Sequence, residues 1–535
     1  MKRILSILLV IAIAVTLFAA CGNDSDTPTS GTPSTPGTPN TPSQPETPTT
    51  NAPPADDADF NRDITIVQAL DMVSWDPINT SDLSNGYVIN SVYSKLFTFD
   101  NNINGIPELA KDYTLISDTE WHFTIYDNIL THEGHLLTAD DVVHSLNRTK
   151  GGSAIGALFA PVEEITKVDE FTISITTSGP YPSLPTALTH QSTCIVPKSY
   201  SDYAEANDDW SHPIGTGRYT FGSRLIGDNI VLNRFEDYYD QNDKARNKSL
   251  TFKIIPEGSA RTIAVETGSA DLNIDFSTID YDRVLGNNDL RLWQHYSQTV
   301  WHLGMDCTNE KFSNPLVRQA ISYAIDRAAC LEVGHNGHGD VMFNSSTIAP
   351  TCLGAVDNPL GMYEYNPEKA KELMAEAGMA DGFETEIIVF RDEADRIAQL
   401  LQHYLSVINI KATVNRIENA VFASMLADHQ VPMFVTSWGA YWDPDMFLTR
   451  RFVNSGGVNR SHYSNPDLAP LILEGRASFD NSVRAQAYVA VQEFMAPEAP
   501  EVDLYVSIMF ALARHDLQGV EINVERPHNF YMLHY

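Results

Sequence analysis

Nothing before residue 60 can build a core. Met1-Lys-Arg3 opens the chain with positive charge, and Ile4 to Ala20 is almost wholly apolar before Cys21. A charged start, an apolar run and two small residues read as a secretory signal over residues 1–20. The rival reading is a single membrane-spanning helix, whose minimum length this 17-residue run just reaches. Residues 22–59 follow with six Thr-Pro steps, Ser, Gly and scattered Asp. Proline holds the backbone near extended conformations and there is almost nothing apolar to bury, so this segment reads as a disordered stalk. At about 3.1 Å per residue it reaches on the order of 100 Å when fully extended. A tether followed by a stalk accounts for both segments at once, and the fold is left to residues 60–535.

The end of the apolar run, Leu17-Phe-Ala-Ala-Cys21, resembles a bacterial lipoprotein signal. That resemblance implies cleavage before Cys21 and a lipid on its thiol, although Phe18 stands where leucine is usual. No later run approaches the length of a membrane span, so the expected membrane connection is at the amino terminus alone. The whole chain of 535 residues is too long for one core and suits two or three lobes, with 43% apolar residues to fill them. A net charge of −34 argues against nucleic acid and against a broad footprint on anionic lipid. After Cys21 there remain Cys194, Cys307, Cys330 and Cys352, none in C-x-x-C spacing, so no structural zinc is expected. Outside the cytoplasm they allow one or two disulfides, and spacing does not choose among the pairings.

Within the body, Ile64-Thr-Ile-Val67 reads as a strand and Tyr87 to Phe97 has helical spacing. Trp121-His-Phe-Thr-Ile125 alternates like a half-buried strand, and Glu133-Gly134 is a turn signal. Thr138 precedes Ala-Asp-Asp-Val-Val143 as an N-cap, with acidic residues where the helix dipole favours them. Pro315 to Cys330 predicts one helix burying Val317, Ala320, Ile321, Ala324 and Ile325, and residues 367–378 predict another, stopped by Gly378. In the former, Arg318 and Asp326 read as ion-pair formers. Gly215 and Gly217 read as positions whose backbone angles forbid a side chain.

The order of motifs carries more than any one of them. Pro107-x-Leu-Ala-x-x-Tyr113, Trp121-x-Phe-x-Ile125, Asp127-Asn-Ile129, Glu133-Gly134 and Leu137-Thr-Ala-Asp-Asp-Val142 are followed by Pro213-Ile-Gly-Thr-Gly217 with Tyr219. Arg234 with Tyr238-Tyr239, Ala264-Val-Glu-Thr-Gly268 with Asp271, Val317-Arg-Gln-Ala-Ile-Ser-Tyr-Ala-Ile-Asp326, Asn366-Pro367, Asn465-Pro-Asp467 and Arg484 complete the series. Together they resemble the extracellular solute-binding proteins, family 5, of peptide and nickel ABC importers. The resemblance implies an α/β fold of the periplasmic-binding-protein type 2-like, two-lobe kind, with an inserted small lobe and a double hinge crossover. It implies a first lobe over residues 60–299 with the insertion at about 100–195, a second lobe over 300–500, and a return to the first lobe over 501–535.

The stretch richest in ligand chemistry is Thr436-Ser-Trp-Gly-Ala-Tyr-Trp-Asp-Pro-Asp-Met-Phe-Leu448. Flat rings offer contact area at low entropic cost, and a carboxylate pairs with a cation once water is excluded. Trp438, Tyr441, Trp442, Asp443 and Asp445 are the first pocket candidates, with Trp75 and Trp301 as further ones that equally suit hinge packing. In peptide-binding members of the resembled family an aspartate stands three residues after the tryptophan; here Tyr441 does. The spacing to Asp443-Pro444 instead resembles the nickel branch, yet that branch's histidine falls on Asp445, and its arginine-containing run falls on Leu188-Thr-His-Gln-Ser-Thr-Cys194.

Other constellations are weaker. His132-Glu-Gly-His135 is one residue short of the zinc-protease spacing, and His335 with His338 sits among glycines in a loop pattern. No nucleophile elbow, phosphate loop or dinucleotide fingerprint is present, so neither catalysis nor a cofactor is expected. The expectation is a monomeric, lipid-anchored, extracytoplasmic binding protein that hands a short peptide to ABC permease and ATPase subunits, without nucleic-acid partners. The alternatives are a binder of a nickel or other metal-chelate complex and, in another class, a secreted hydrolase.

Overall fold

The structure is a computed structural model and describes residues 60–79, 83–99, 105–152, 156–343, 345, 348–439, 443–453, 459–521 and 529–535. The signal, Cys21, the stalk, Tyr441 and Trp442 lie outside the described residues. One mixed sheet of eleven strands runs through the body. Its path is Lys411–Arg416, Glu384–Val389, Met433–Gly439, Leu290–Met305, Glu501–Arg514, Leu272–Asn273, Asp63–Gln68, Ser249–Ile254, Asn229–Arg234 and Tyr219–Leu225. Gly339–Val341 pairs with Glu501–Arg514 off this path.

Two long neighbours organise that sheet. Leu290–Met305 and Glu501–Arg514 pair antiparallel, with irregular register between Tyr296 and Val300 and again at Trp301–His302. On one side of the irregularity, Ala511 and Ala513 join Ile64, Ile66, Leu250 and Phe252 in one core. On the other, Leu303, Met305, Val502 and Leu504 join Ile387, Leu401 and Met433 in a second. Each strand therefore serves two cores, which is a two-lobe architecture with a double crossover between its halves.

A third core sits over the antiparallel strands Ala110–Ser117, Glu120–Ile125, Thr172–Thr177 and Val162–Lys167. Trp121, Phe123 and Ile125 all point inward, as alternation predicts, onto Val142 and Leu146 of the helix Ala139–Gly151. Burying such a side chain contributes about 1.5–3 kcal/mol. Asp141 Oδ2 accepts from the Thr138 backbone N–H at 2.9 Å, which closes the helix start.

Three expectations need correction. The first helix spans Leu83–Val92 and does not reach Phe97, which begins the short strand Phe97–Phe99. The Val92 carbonyl accepts instead from Gly217 N–H at 2.8 Å, a bond from a remote loop that ends the helix. Gly215 and Gly217 are needed for space and not for unusual angles: a Cβ on them would stand 2.1 and 2.6 Å from the Val92 oxygen. Finally, Pro315–Tyr323 and Arg327–His335 are two helices. Asp326 caps the second, accepting from Ala328 and Ala329 N–H at 3.0 and 3.2 Å. Arg318 donates to the Glu498 and Phe312 carbonyls and lies 3.6 Å from the Glu498 carboxylate. Cys194, Cys307, Cys330 and Cys352 all stand as thiols, and burial pushes each up to about 12.

Candidate ligand-binding site

The strand Met433–Gly439 lies antiparallel to Thr299–Met305, just beyond the irregular crossover, and places Trp438 opposite Val300. After the undescribed residues 440–442 the chain turns into the short helix Pro444–Leu448, capped by Asp443, which accepts from Asp445 N–H at 3.0 Å. Both carboxylates of this segment are committed internally. One guanidinium nitrogen of Arg484 donates to both oxygens of Asp443 at 2.7 Å. Arg476 Nε is 2.9 Å from each oxygen of Asp445, whose Oδ1 also accepts from Thr449 at 2.8 Å. Asp445 is fully buried; burial pushes its carboxyl above the ordinary range, against the pull of Arg476.

These pairs also join two of the cores. Arg484 donates to Ser183 Oγ at 3.1 Å, and the Arg476 guanidinium lies over the Tyr181 ring at 5.5 Å. Met446, next to Asp445 in the helix Pro444–Leu448, packs into the core of the four-stranded sheet. The Asp443–Asp445 segment is thus a clasp on that small body.

Trp75 and Trp301 are buried in the two larger cores. Trp75 meets Phe221 edge to face at 5.5 Å, and Trp301 stacks with Tyr505 at 6.2 Å. Trp438 is half-buried and is flanked by cations, with Arg460 4.9 Å and Arg451 5.2 Å from its ring centroid. Its buried indole N–H has no hydrogen-bond partner among the described residues.

The charges behind Trp438 escaped sequence reasoning, because their partners are far apart in the chain. Arg451 and Ser461 both donate to Glu501, and His302 Nε2 stands 3.7 Å from the same carboxylate. Arg451 and Glu501 are each about 1% exposed. Arg451 lowers the Glu501 carboxyl to about 2 despite burial, which raises it, while burial drives His302 down to about 4. Arg460 donates to Thr436 Oγ1 at 3.3 Å and makes no ion pair among the described residues. Burial, with Arg451 beside it, lowers its guanidinium to about 10. Arg391 reaches Ser437 Oγ at 3.4 Å from the exposed side. The dibasic pair Arg450-Arg451, standing after an apolar turn in so acidic a chain, was the available signal.

One histidine of each sequence pair is held by the fold. His132 contacts Gly217 O at 3.1 Å and Gly215 N–H at 3.2 Å, and His335 Nδ1 contacts the Tyr505 hydroxyl at 3.0 Å. His190, from the run before Ile195, is held down to about 3 by burial and then by Arg450.

A pH dependence follows. Burial lowers His132, His302 and His335 to about 4 and His190 to about 3, against 6.5 when unfolded. The unfolded chain therefore binds more protons below pH 6.5, and the stability these neutral rings contribute is lost as pH falls towards 4. Glu501 adds its own loss only below about 4.5. Urea midpoints should fall steadily from pH 6.5 to 4; a flat profile there would contradict the neutral assignment.

Comparison with known proteins agrees with this architecture. Residues 104–460 match the family model of the bacterial extracellular solute-binding proteins, family 5 Middle. The glutathione-binding protein GsiB of Salmonella typhi is 24% identical over 486 residues, which is 88% of this chain and 94% of that relative. The periplasmic binding protein DppA from Helicobacter pylori, solved in complex with peptide STSA, superposes with a TM-score of 0.80 at 23% identity, over 89% of this chain and 98% of that one. NikZ from Campylobacter jejuni, in complex with Ni(L-His), superposes with a TM-score of 0.75 at 22% identity, over 89% and 100%. No helix among the described residues is long and apolar enough to cross a membrane. With two thirds of its length matched, the chain belongs to the bacterial extracellular solute-binding proteins, family 5, and is a binding protein rather than an enzyme.

Proposed function

We propose that the chain captures short peptides outside the membrane and delivers them to the permease and ATPase subunits of an ABC importer. Residues 1–20 are removed, a lipid on Cys21 anchors the chain, and residues 22–59 act as its stalk. The first lobe covers residues 60–299 and 501–535, with the small lobe at about 100–195, and the second covers 300–500. The protein works as a monomer, closing its lobes about the paired crossover strands.

The observation that carries the peptide reading is the cation excess at Trp438. Arg460 lies over that ring without a carboxylate partner among the described residues, and Arg391 approaches from the solvent side. A half-buried ring flanked by an uncompensated guanidinium suits a ligand carboxylate laid against an apolar face. Asp443 and Asp445, already paired, position the wall, and Tyr441 and Trp442, which lie outside the described residues, are the proposed ligand contacts of the same segment. Trp301 stands opposite Ser437 in the paired strand and Trp75 lies in the other large core, and both are proposed as further ligand contacts. The names of relatives that bind glutathione and the peptide STSA favour the same ligand class.

Calorimetric titration with di- to pentapeptides, each as free acid and as carboxyl-terminal amide, tests this. We expect the free acids to bind, the amides to bind at least tenfold more weakly, and Trp438→Ala and Arg460→Met each to lose at least tenfold. Equal binding of acid and amide would remove the carboxylate assignment. The metal-chelate reading predicts instead that EDTA abolishes capture, whereas peptide capture is indifferent to it.

A further inference from the structure

Three residues from separate stretches meet on the second lobe, beyond Ser461 from the Trp438 wall. Asp306 follows the strand Leu290–Met305, His429 lies in the turn after the helix Asn419–Ala427, and His462 follows Arg460 and Ser461. Their ligand atoms all fall within 4.8 Å of one another. Asp306 is about 1% exposed, and its Oδ1 accepts from Thr308 N–H at 2.9 Å and Thr308 Oγ1 at 2.6 Å, which fixes the carboxylate. His429 Nδ1 stands 3.4 Å from Oδ2 and His462 Nδ1 3.3 Å from Oδ1. The two rings stack with centroids 3.7 Å apart at 27°.

Hydrogen bonding accounts for Asp306 and His429 through Thr308 but not for His462. Charge-assisted bonds to a carboxylate run about 2.7–2.9 Å. Here the two nitrogens stand 3.4 and 3.3 Å from the carboxylate. His429 Nδ1 is 3.1 Å from Thr308 Oγ1, while the buried Nδ1 of His462 has no hydrogen-bond partner among the described residues. In contrast, four ligands with bonds of about 2.0–2.1 Å around a tetrahedral cation stand roughly 3.3 Å apart. Both histidines also hold left-handed backbone angles, with φ of 54° and 46°, which residues with a Cβ adopt at a cost. Two imidazoles and one carboxylate suit a borderline divalent transition metal, whereas magnesium and calcium prefer shells of oxygen.

We propose that Asp306, His429 and His462 form a site for a divalent transition-metal cation, zinc foremost, separate from the solute cleft. A solvent molecule completes the four ligands on the half-exposed side of His429. The cation fixes the segment Arg460–His462, whose other two members donate to Thr436 and Glu501 behind Trp438. The site does not depend on what the cleft carries.

The test uses the full-length protein, purified without a histidine tag and stripped with EDTA. Titration with zinc chloride should show one equivalent bound at least 100-fold more tightly than magnesium. Cobalt chloride should give the intense visible bands of a four-coordinate centre. His429→Gln and His462→Gln should each weaken zinc at least tenfold and remove those bands, while Cys307→Ser, changing the neighbouring thiol, leaves both intact. Melting in EDTA separates loss of the site from loss of the fold. The proposal is overturned if the wild type takes up no stoichiometric zinc, if its cobalt spectrum is the weak one of a six-coordinate ion, if folded histidine variants bind as the wild type does, or if Cys307→Ser alone abolishes binding.

Discussion

Glu501→Gln is expected to destabilise the protein by about 3–5 kcal/mol, the cost of leaving a buried charge without its partner. Glutamine keeps the shape and loses the charge that Arg451, Ser461 and His302 surround. Arg451 would then stand about 1% exposed without the Glu501 charge, with Arg460 across the same indole ring. Urea unfolding monitored by tryptophan fluorescence measures the loss. The double variant Glu501→Gln, Arg451→Met should recover a large part of it, since removing both charges of a buried pair is far cheaper than removing one. A single-variant cost below about 1 kcal/mol would mean that the cluster is solvated in solution and does not hold the wall.

Arg484→Met is expected to cost a similar amount, about 3 kcal/mol or more, for a different reason. Arg484 holds Asp443 at the start of the helix Pro444–Leu448, and also reaches the Gly475 carbonyl at 3.0 Å and Ser183 at 3.1 Å. The first contact positions the wall, while the last ties it to the small body built on the four-stranded sheet. Two readouts should therefore move together: the unfolding midpoint falls, and X-ray scattering of the unliganded protein shows a larger radius of gyration as the clasp releases. Ser183→Ala should move the second with little effect on the first. If Ser183→Ala and Arg484→Met both leave the scattering profile unchanged, the clasp does not bias closure.

How much of this was legible in sequence depends on how far each partner lies along the chain. Alternation at Trp121–Ile125 and the cap at Thr138 are local, and both elements form where the pattern puts them. The first helix ends early because Gly217, more than 100 residues on, takes the Val92 carbonyl, and no window around Val92 contains that fact. The split at Asp326 was local and readable: an aspartate three residues before the next buried turn is a cap, and apolar periodicity running across it masked the break. Asp443 and Asp445 stood out as carboxylates beside aromatic rings, but the arginines that neutralise them lie 41 and 31 positions away. For the same reason Arg451, Arg460 and Glu501 went unnoticed, since a charge announces its sign in sequence and not its partner.

The long return strand Glu501–Arg514 has a consequence for how the protein is made. It follows every other strand of that sheet in the chain, yet it lies inside the sheet, between Leu290–Met305 and Leu272–Asn273. Until it arrives, two strand edges stay unpaired and each of the larger cores lacks a wall, a state prone to sticking edge to edge. Contacts between residues some 200 positions apart must also form late, which slows folding. The sheet is therefore completed only once residue 514 has been made, so a truncation before that residue should yield an aggregating product rather than a smaller working lobe.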